Sequence, residues 1–230
     1  MAESPLALVT GASRGIGAAI ANALAPTHRL LIGGRNSGAL DERAAQLPDA
    51  KPWPVDLADA DAVAGAAAEI DGLDVLVHSA GVAELGRVDE AAASAWRSNM
   101  EMNLVAVAEL SRLLLPALRA RQGHVVVINS GSGLHARAGW APYAASKFAV
   151  RAFADALRAE EEETGVRVTS IYPGRTDTDM QQELSAAEGM PYDPKRFLHP
   201  DSVAGAVSGA VNATADAHPT EVVLRARPRN

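Results

Sequence analysis

Short apolar runs that are continuous rather than alternating constrain this chain more than any other feature. Five of them fall at 6–10, 29–33, 74–78, 124–128 and 166–172, each rich in Val, Ile and Leu. A strand reads this way when both of its faces are buried, as in a parallel sheet covered by helices on each side. A weaker run at 51–55 and a last one at 221–224 extend the series. Between the runs lie stretches with helical patterning at 16–24, 39–46, 60–70, 89–121, 148–163 and 201–211. Asp59 and the pair Pro200-Asp201 supply helix-start signals. Strands alternating with helices predict an α/β fold: a doubly wound, mostly parallel, Rossmann-like sheet with right-handed crossovers in a single domain. The stretch 178–199 holds Pro191 and Pro194 and is expected to be irregular, a substrate flap.

The first run leads directly into Thr10-Gly-Ala-Ser-Arg-Gly-Ile-Gly17, which then opens a helix. Gly11, Gly15 and Gly17 let the backbone turn sharply and come close to a bound group. The unpaired N–H groups of the helix start then suit a pyrophosphate. In dinucleotide folds a carboxylate about 20 positions further on holds the ribose 2′-OH of NAD. Here Arg35 stands at that strand end, and Arg14 lies inside the glycine turn. Two guanidiniums suit a 2′-phosphate, so the cofactor is expected to be NADP(H); a solvated surface position is the alternative for both. Asp56 is a candidate for the adenine amino group or for a cap of the next helix.

Tyr143 and Lys147 stand four residues apart at the start of a helix, which puts both side chains on one face. With three tyrosines and three lysines in the chain, chance gives such a pair roughly 0.04 times. A free phenol has a pKa near 10 and is a poor acid–base catalyst at neutral pH. A neighbouring ammonium, aided by the positive ring of an oxidised nicotinamide, favours the phenolate. Ser130, just past the run 124–128, is placed to donate to a substrate carbonyl, and Ser132 competes with it by position.

Taken in order, these pieces resemble the short-chain dehydrogenase/reductase family over nearly the whole chain. The pieces are Thr10–Gly17, Asp56-Leu57, Ser79-Ala-Gly81, Asn103, Ser130, Tyr143 with Lys147, and Pro173-Gly174. The resemblance implies a carbonyl reductase in which Tyr143 is the general acid and Lys147 holds the nicotinamide ribose. It implies that Ser130, rather than Ser132, orients the carbonyl, and that Asn103 bends its helix to hold a relay water. It also implies cofactor contacts from Gly11, Ser13, Arg14, Gly15, Ile16, Gly17, Arg35, Asp56, Leu57, Ala80 and Gly81. Pro173, Gly174, Thr176 and Thr178 would flank the nicotinamide. A homo-oligomer, dimer or tetramer, follows from the same resemblance.

Two positions depart from the family pattern. His78-Ser-Ala-Gly81 replaces the usual Asn-Asn-Ala-Gly, and His78 reads as a partly buried strand-end residue. Arg175 stands where an apolar residue is common; it either recognises an anionic substrate group, or pairs with Asp177 or faces solvent. Leu134, His135, Trp140, Met180 and Tyr192 are expected around the substrate, a small-molecule carbonyl or alcohol.

Composition narrows the classes further. A net charge of −7 argues against a nucleic-acid face and lends no support to docking an acidic carrier protein. The only basic run is the short one from Arg225 to Arg229. With no cysteine, disulfides and thiolate metal sites are excluded, and no metal is expected. No apolar run is long enough for a membrane span, and 1–6 has no basic region or signal core, so a reduced cytoplasmic setting is expected. Reduction of carrier-bound keto thioesters and a non-catalytic nucleotide sensor are the two alternative functions.

Overall fold

The computed structural model describes residues 4–214 and 216–227. The end of the basic run, at 228–229, and residues 1–3 of the N-terminal segment lie outside the described residues. All seven expected strands are present: β1 Leu6–Val9, β2 Arg29–Gly34, β3 Ala50–Pro54, β4 Val75–His78, β5 His124–Ile128, β6 Arg167–Pro173 and β7 Glu221–Leu224. They form one sheet in the order β3-β2-β1-β4-β5-β6-β7, with every pairing parallel.

Burial on both faces explains the apolar runs. Ala7 and Val9 pack toward α1 (Gly15–Leu24) and α8 (Pro200–Val211), along with Leu40 of α2 (Ser37–Ala44). Leu8 points the other way, into a core with α3 (Ala60–Ala67), α5 (Ala106–Arg121) and α6 (Ala141–Glu160). Val75, Val77, Leu76, Val126 and Val125 divide between the two cores in the same manner. Each such side chain contributes about 1.5–3 kcal/mol on burial, so a polar residue at any of them has no face on which to be tolerated. Asp59 caps α3 by accepting from the Ala62 N–H at 3.0 Å, as its position suggested.

Two stretches differ from expectation. The long helix expected over 89–121 is divided: α4 covers Ala93–Met100, a π-turn covers Glu101–Val105, and α5 follows. The stretch 178–199 is not wholly irregular, because Thr178 accepts from the Gln181 N–H at 3.2 Å and starts α7, Asp179–Ala187. Its far end is tied back by Asp177 N–H to Leu198 O at 2.8 Å and Leu198 N–H to Arg175 O at 2.9 Å.

His78 is buried more deeply than its position suggested, and His124, at the opposite end of the neighbouring strand, is buried too. Their Nε2 atoms lie 2.8 Å from Ser111 Oγ and 2.7 Å from Thr169 Oγ1. Desolvation by burial pushes both pKa values down to about 3. A folded pKa below the unfolded value means the unfolded chain binds more protons between about pH 6.5 and about pH 3. Stability therefore falls with falling pH in that window, by up to about 1.4 kcal/mol per pH unit for each histidine. Thermal melts from about pH 7 to about pH 5 should show a declining Tm, less steep in His78→Asn; a flat wild-type profile contradicts the assignment.

Candidate active site

The strand order reverses between β1 and β4, and in open α/β sheets a crevice forms there, beyond the carboxyl ends of the strands. The glycine turn between β1 and α1 forms one wall of it. Gly11 has φ +66°, and a Cβ there would lie 2.9 Å from the backbone of Ala80. A Cβ on Gly17 would lie 2.2 Å from the Gly11 carbonyl oxygen. The turn is thus as close to the β4 exit as backbone permits. Thr10 Oγ1 ties the two together by accepting from the Ser79 and Ala80 N–H groups at 3.0 and 3.1 Å.

The resulting cleft is lined by Gly11, Ser13, Arg14, Gly15, Ile16, Gly17, Arg35, Asp56, Leu57, Ala80, Gly81, Tyr143, Lys147 and Thr178. Pro173, Gly174 and Thr176 line a second cleft instead, together with Ser130, Tyr143, Thr178 and Trp140. Tyr143, Asn129 and Thr178 belong to both, so the two clefts meet at the tyrosine. Among the residues expected around the substrate, His135, Trp140 and Met180 line the second cleft, while Leu134 and Tyr192 do not. Tyr192 instead hydrogen-bonds Asp177 and stacks on Phe197.

Arg14 and Arg35 reach the same cleft by different routes. Arg14 Nη1 lies 2.8 Å from Asp179 Oδ2, with both side chains largely exposed. Arg35 has no ion-pair partner among the described residues. Asp56 accepts from the Ala58 N–H at 3.1 Å, which shapes a turn and leaves its carboxylate on the cleft wall.

Tyr143 and Lys147 occupy the first turns of α6, both buried. The Lys147 ammonium donates to Ile128 O at 3.1 Å and stands 5.8 Å from the Tyr143 ring centroid. Burial lowers its pKa to about 8. Burial raises the Tyr143 pKa, and a hydrogen bond with Ser130 pulls it partly back. In the protein alone, desolvation therefore governs the phenol and the Ser130 hydroxyl only partly offsets it, contrary to the simple expectation for the tyrosine–lysine pair. The phenol is held protonated at neutral pH, in hydrogen-bond contact with Ser130. Ser130 Oγ also accepts from the Ser132 N–H at 3.1 Å, so Ser132 serves the loop and Ser130 meets the tyrosine.

Asn103 lies in the π-turn and is 2 % exposed. Its amide donates to Val82 O and accepts from Val82 N–H, each at 3.0 Å, and donates to Ser146 Oγ at 2.9 Å. A Cβ on Gly81 would touch Asn103 Oδ1 at 2.9 Å and lie 4.0 Å from Lys147 Nζ. Asn103, Gly81 and Lys147 thus converge. Sequence reasoning passed over Asn129, whose amide accepts from the Ser130 N–H at 2.8 Å and donates to Lys147 O at 3.1 Å. A buried asparagine ending an apolar strand was the available signal. Trp53 and Met102, on the wall of the first cleft, were passed over too, and nothing in their sequence context points there.

Arg175 pairs with neither Asp177 nor solvent. Its Nη2 donates to Glu188 Oε1 and Oε2 at 2.6 and 2.5 Å. His78 points from β4 toward Ser111 of α5 and takes no part in either cleft.

A family profile described as short chain dehydrogenase matches residues 5–189, and the chain belongs to that family of oxidoreductases. Dehydrogenase/reductase SDR family member 7B of Bos taurus is 38% identical over 206 residues, covering 83% of this chain. The chain spans only 63% of that relative's length. The alcohol dehydrogenase of the archaeon Thermococcus sibiricus, solved with 5-hydroxy-NADP, superposes with TM-score 0.89 at 28% identity and covers 99% of both chains. A variant of the actinorhodin polyketide ketoreductase, solved with NADPH, superposes with TM-score 0.90 at 26% identity and covers 98% of both. No helix among the described residues is long and apolar enough to cross a membrane.

Proposed function

We propose that this chain is an NADP(H)-dependent oxidoreductase that interconverts a ketone or aldehyde with the corresponding alcohol. One observation carries the reading: Ser130, Tyr143 and Lys147 meet where the glycine-walled cleft joins the second cleft. Fit to the cofactor is supported by the tight glycine turn, whose backbone a Cβ at Gly11 or Gly17 would strike, by the cleft it walls, and by Arg35 at the end of β2. Gly11, Ser13, Arg14, Gly15, Ile16, Gly17, Arg35, Asp56, Leu57, Ala80 and Gly81 would hold its adenosine and phosphate half. Lys147, Tyr143, Pro173, Gly174, Thr176 and Thr178 would hold the nicotinamide half. Both named structural neighbours were solved with NADP-type cofactors. Bound there, NADPH supplies the hydride that the carbonyl carbon accepts.

The protein's own groups then handle the oxygen. The Ser130 hydroxyl donates to the carbonyl oxygen as negative charge develops. Tyr143, kept protonated by burial, delivers its proton to that oxygen, and the phenol is recharged from solvent past Lys147. Asn103 positions Val82, Ser146 and Gly81 around that path, and we assign the relay water to its turn. The exposed Val105 and Phe148 support assembly of homodimers or tetramers through the helix faces that carry them.

NADPH oxidation across a panel of ketones, aldehydes, keto acids and sugars tests the reading. Turnover of at least one carbonyl is expected; cofactor binding without any turnover contradicts it. The reaction direction should follow proton supply. Below its pKa of about 8 Lys147 is charged, and the phenol holds its proton there as well. Reduction is therefore expected to slow as the pH rises past about 8, where Lys147 loses its charge, which a pH–rate profile of NADPH oxidation would reveal.

A further inference from the structure

The second cleft is more basic than a chain of net charge −7 leads one to expect. Arg137, Arg175, Arg196 and Arg225 line it together with Ser130 and Tyr143, and no carboxylate among the described residues does. Glu188 stands just behind this wall. It receives Arg175 Nη2 at 2.6 and 2.5 Å and Trp140 Nε1 at 3.0 Å. The guanidinium carbons of Arg137 and Arg175 lie 3.7 and 5.5 Å from the same indole ring centroid. Two guanidiniums thus share one tryptophan, and of the two only Arg175 hydrogen-bonds the carboxylate. Burial and the nearby Arg175 both lower the Arg137 pKa, which Glu188 only partly offsets. Arg196 and Arg225 form no ion pair among the described residues. Arg225 lies over the loop that begins at Ser130, for a Cβ on Gly131 would stand 3.0 Å from its Nη1.

Glu188 offsets one of these four charges; the remaining excess of positive charge repels itself, and a neutral substrate does nothing to relieve that. A carboxylate or phosphate offsets it and takes up the planar donors of two guanidiniums. We infer that the substrate is a small anionic carbonyl compound, held with its carbonyl at Ser130 and Tyr143 and its carboxylate or phosphate at Arg137, Arg175, Arg196 and Arg225. Glu188 fixes Arg175 against Trp140 and so acts as a positioning residue. The inference rests on the oxidoreductase reading above, and it names the substrate class for the same site.

Initial rates with NADPH test it on matched pairs: pyruvate and levulinate against their methyl esters, and dihydroxyacetone phosphate against dihydroxyacetone. For at least one pair the anion is expected to win by about tenfold or more in kcat/KM, chiefly through KM, with the advantage shrinking as salt rises. Which pair responds separates a carboxylate from a phosphate. Arg196 and Arg225 are exposed, so Arg196→Gln and Arg225→Gln should fold, and each should cut the preference about tenfold. Arg225→Lys should restore part of it. Equal or better turnover of the neutral partner in every pair overturns the inference. So does an anion preference that both glutamine variants leave intact, or activity confined to carrier-bound thioesters. Should no carbonyl be turned over, calorimetric titration of the NADPH-saturated protein with the same three anions decides the matter separately. Binding that Arg225→Gln abolishes supports the anion site, and no binding overturns it.

Discussion

Tyr143→Phe is expected to lower kcat for carbonyl reduction by about 10²–10⁴-fold, the range that a positioned proton donor contributes. The ring itself is not at issue. It packs edge-on to Trp140 with centroids 5.9 Å apart and belongs to a small cluster with Leu184. Phenylalanine keeps those contacts, so the variant should fold and still bind NADPH. What is removed is the hydroxyl that meets Ser130 and the proton it carries. Steady-state rates beside a direct cofactor titration check this. A variant that retains more than about a tenth of wild-type kcat would mean that another group supplies the proton.

The second large effect concerns the choice of cofactor. Arg35→Asp should weaken NADPH binding by about 10–150-fold, since a hydrogen bond between charged groups contributes about 1.5–3 kcal/mol. Repulsion between the new carboxylate and the 2′-phosphate adds to that loss. NADH should gain, because an acidic residue at this strand end can hold the ribose 2′-OH. Arg14→Ala should do less. Its guanidinium is already engaged by Asp179 at 2.8 Å, so binding the phosphate must first displace an ion pair. Fluorescence titrations with both nucleotides separate the two arginines, and equal losses from both variants would place the phosphate differently.

The sheet was legible in the sequence because each strand buries both faces. Leu8 faces one core while its neighbours Ala7 and Val9 face the other, and that leaves an uninterrupted apolar run. The proposed catalytic pair was legible as well, since Tyr143 and Lys147 are one turn apart on α6 and need only local geometry to share a face. What stayed hidden depends on contacts between distant segments. The break in the expected 89–121 helix sits where Asn103 pairs with Val82 across 21 residues. Helix periodicity carries no trace of that pairing. The pairing partner of Arg175 was missed for a similar reason. Asp177, the near candidate, is taken by Tyr192, while Glu188 is brought in by the turn that ends α7. The capping role of Thr178 was open to view, but Pro191 and Pro194 beyond it drew the reading toward an irregular segment. Four arginines spread from 137 to 225 form one basic wall only once β5, β6 and β7 lie side by side.

The most direct test of the central claim is isotope transfer. The protein is incubated with NADPH deuterated at the transferable C4 position and with the best carbonyl substrate, and the alcohol product is examined by mass spectrometry. One deuterium on the carbinol carbon, with formation nearly abolished in Tyr143→Phe, is the predicted result. Product alcohol without deuterium, or NADPH that binds and is never consumed with any carbonyl, would contradict it.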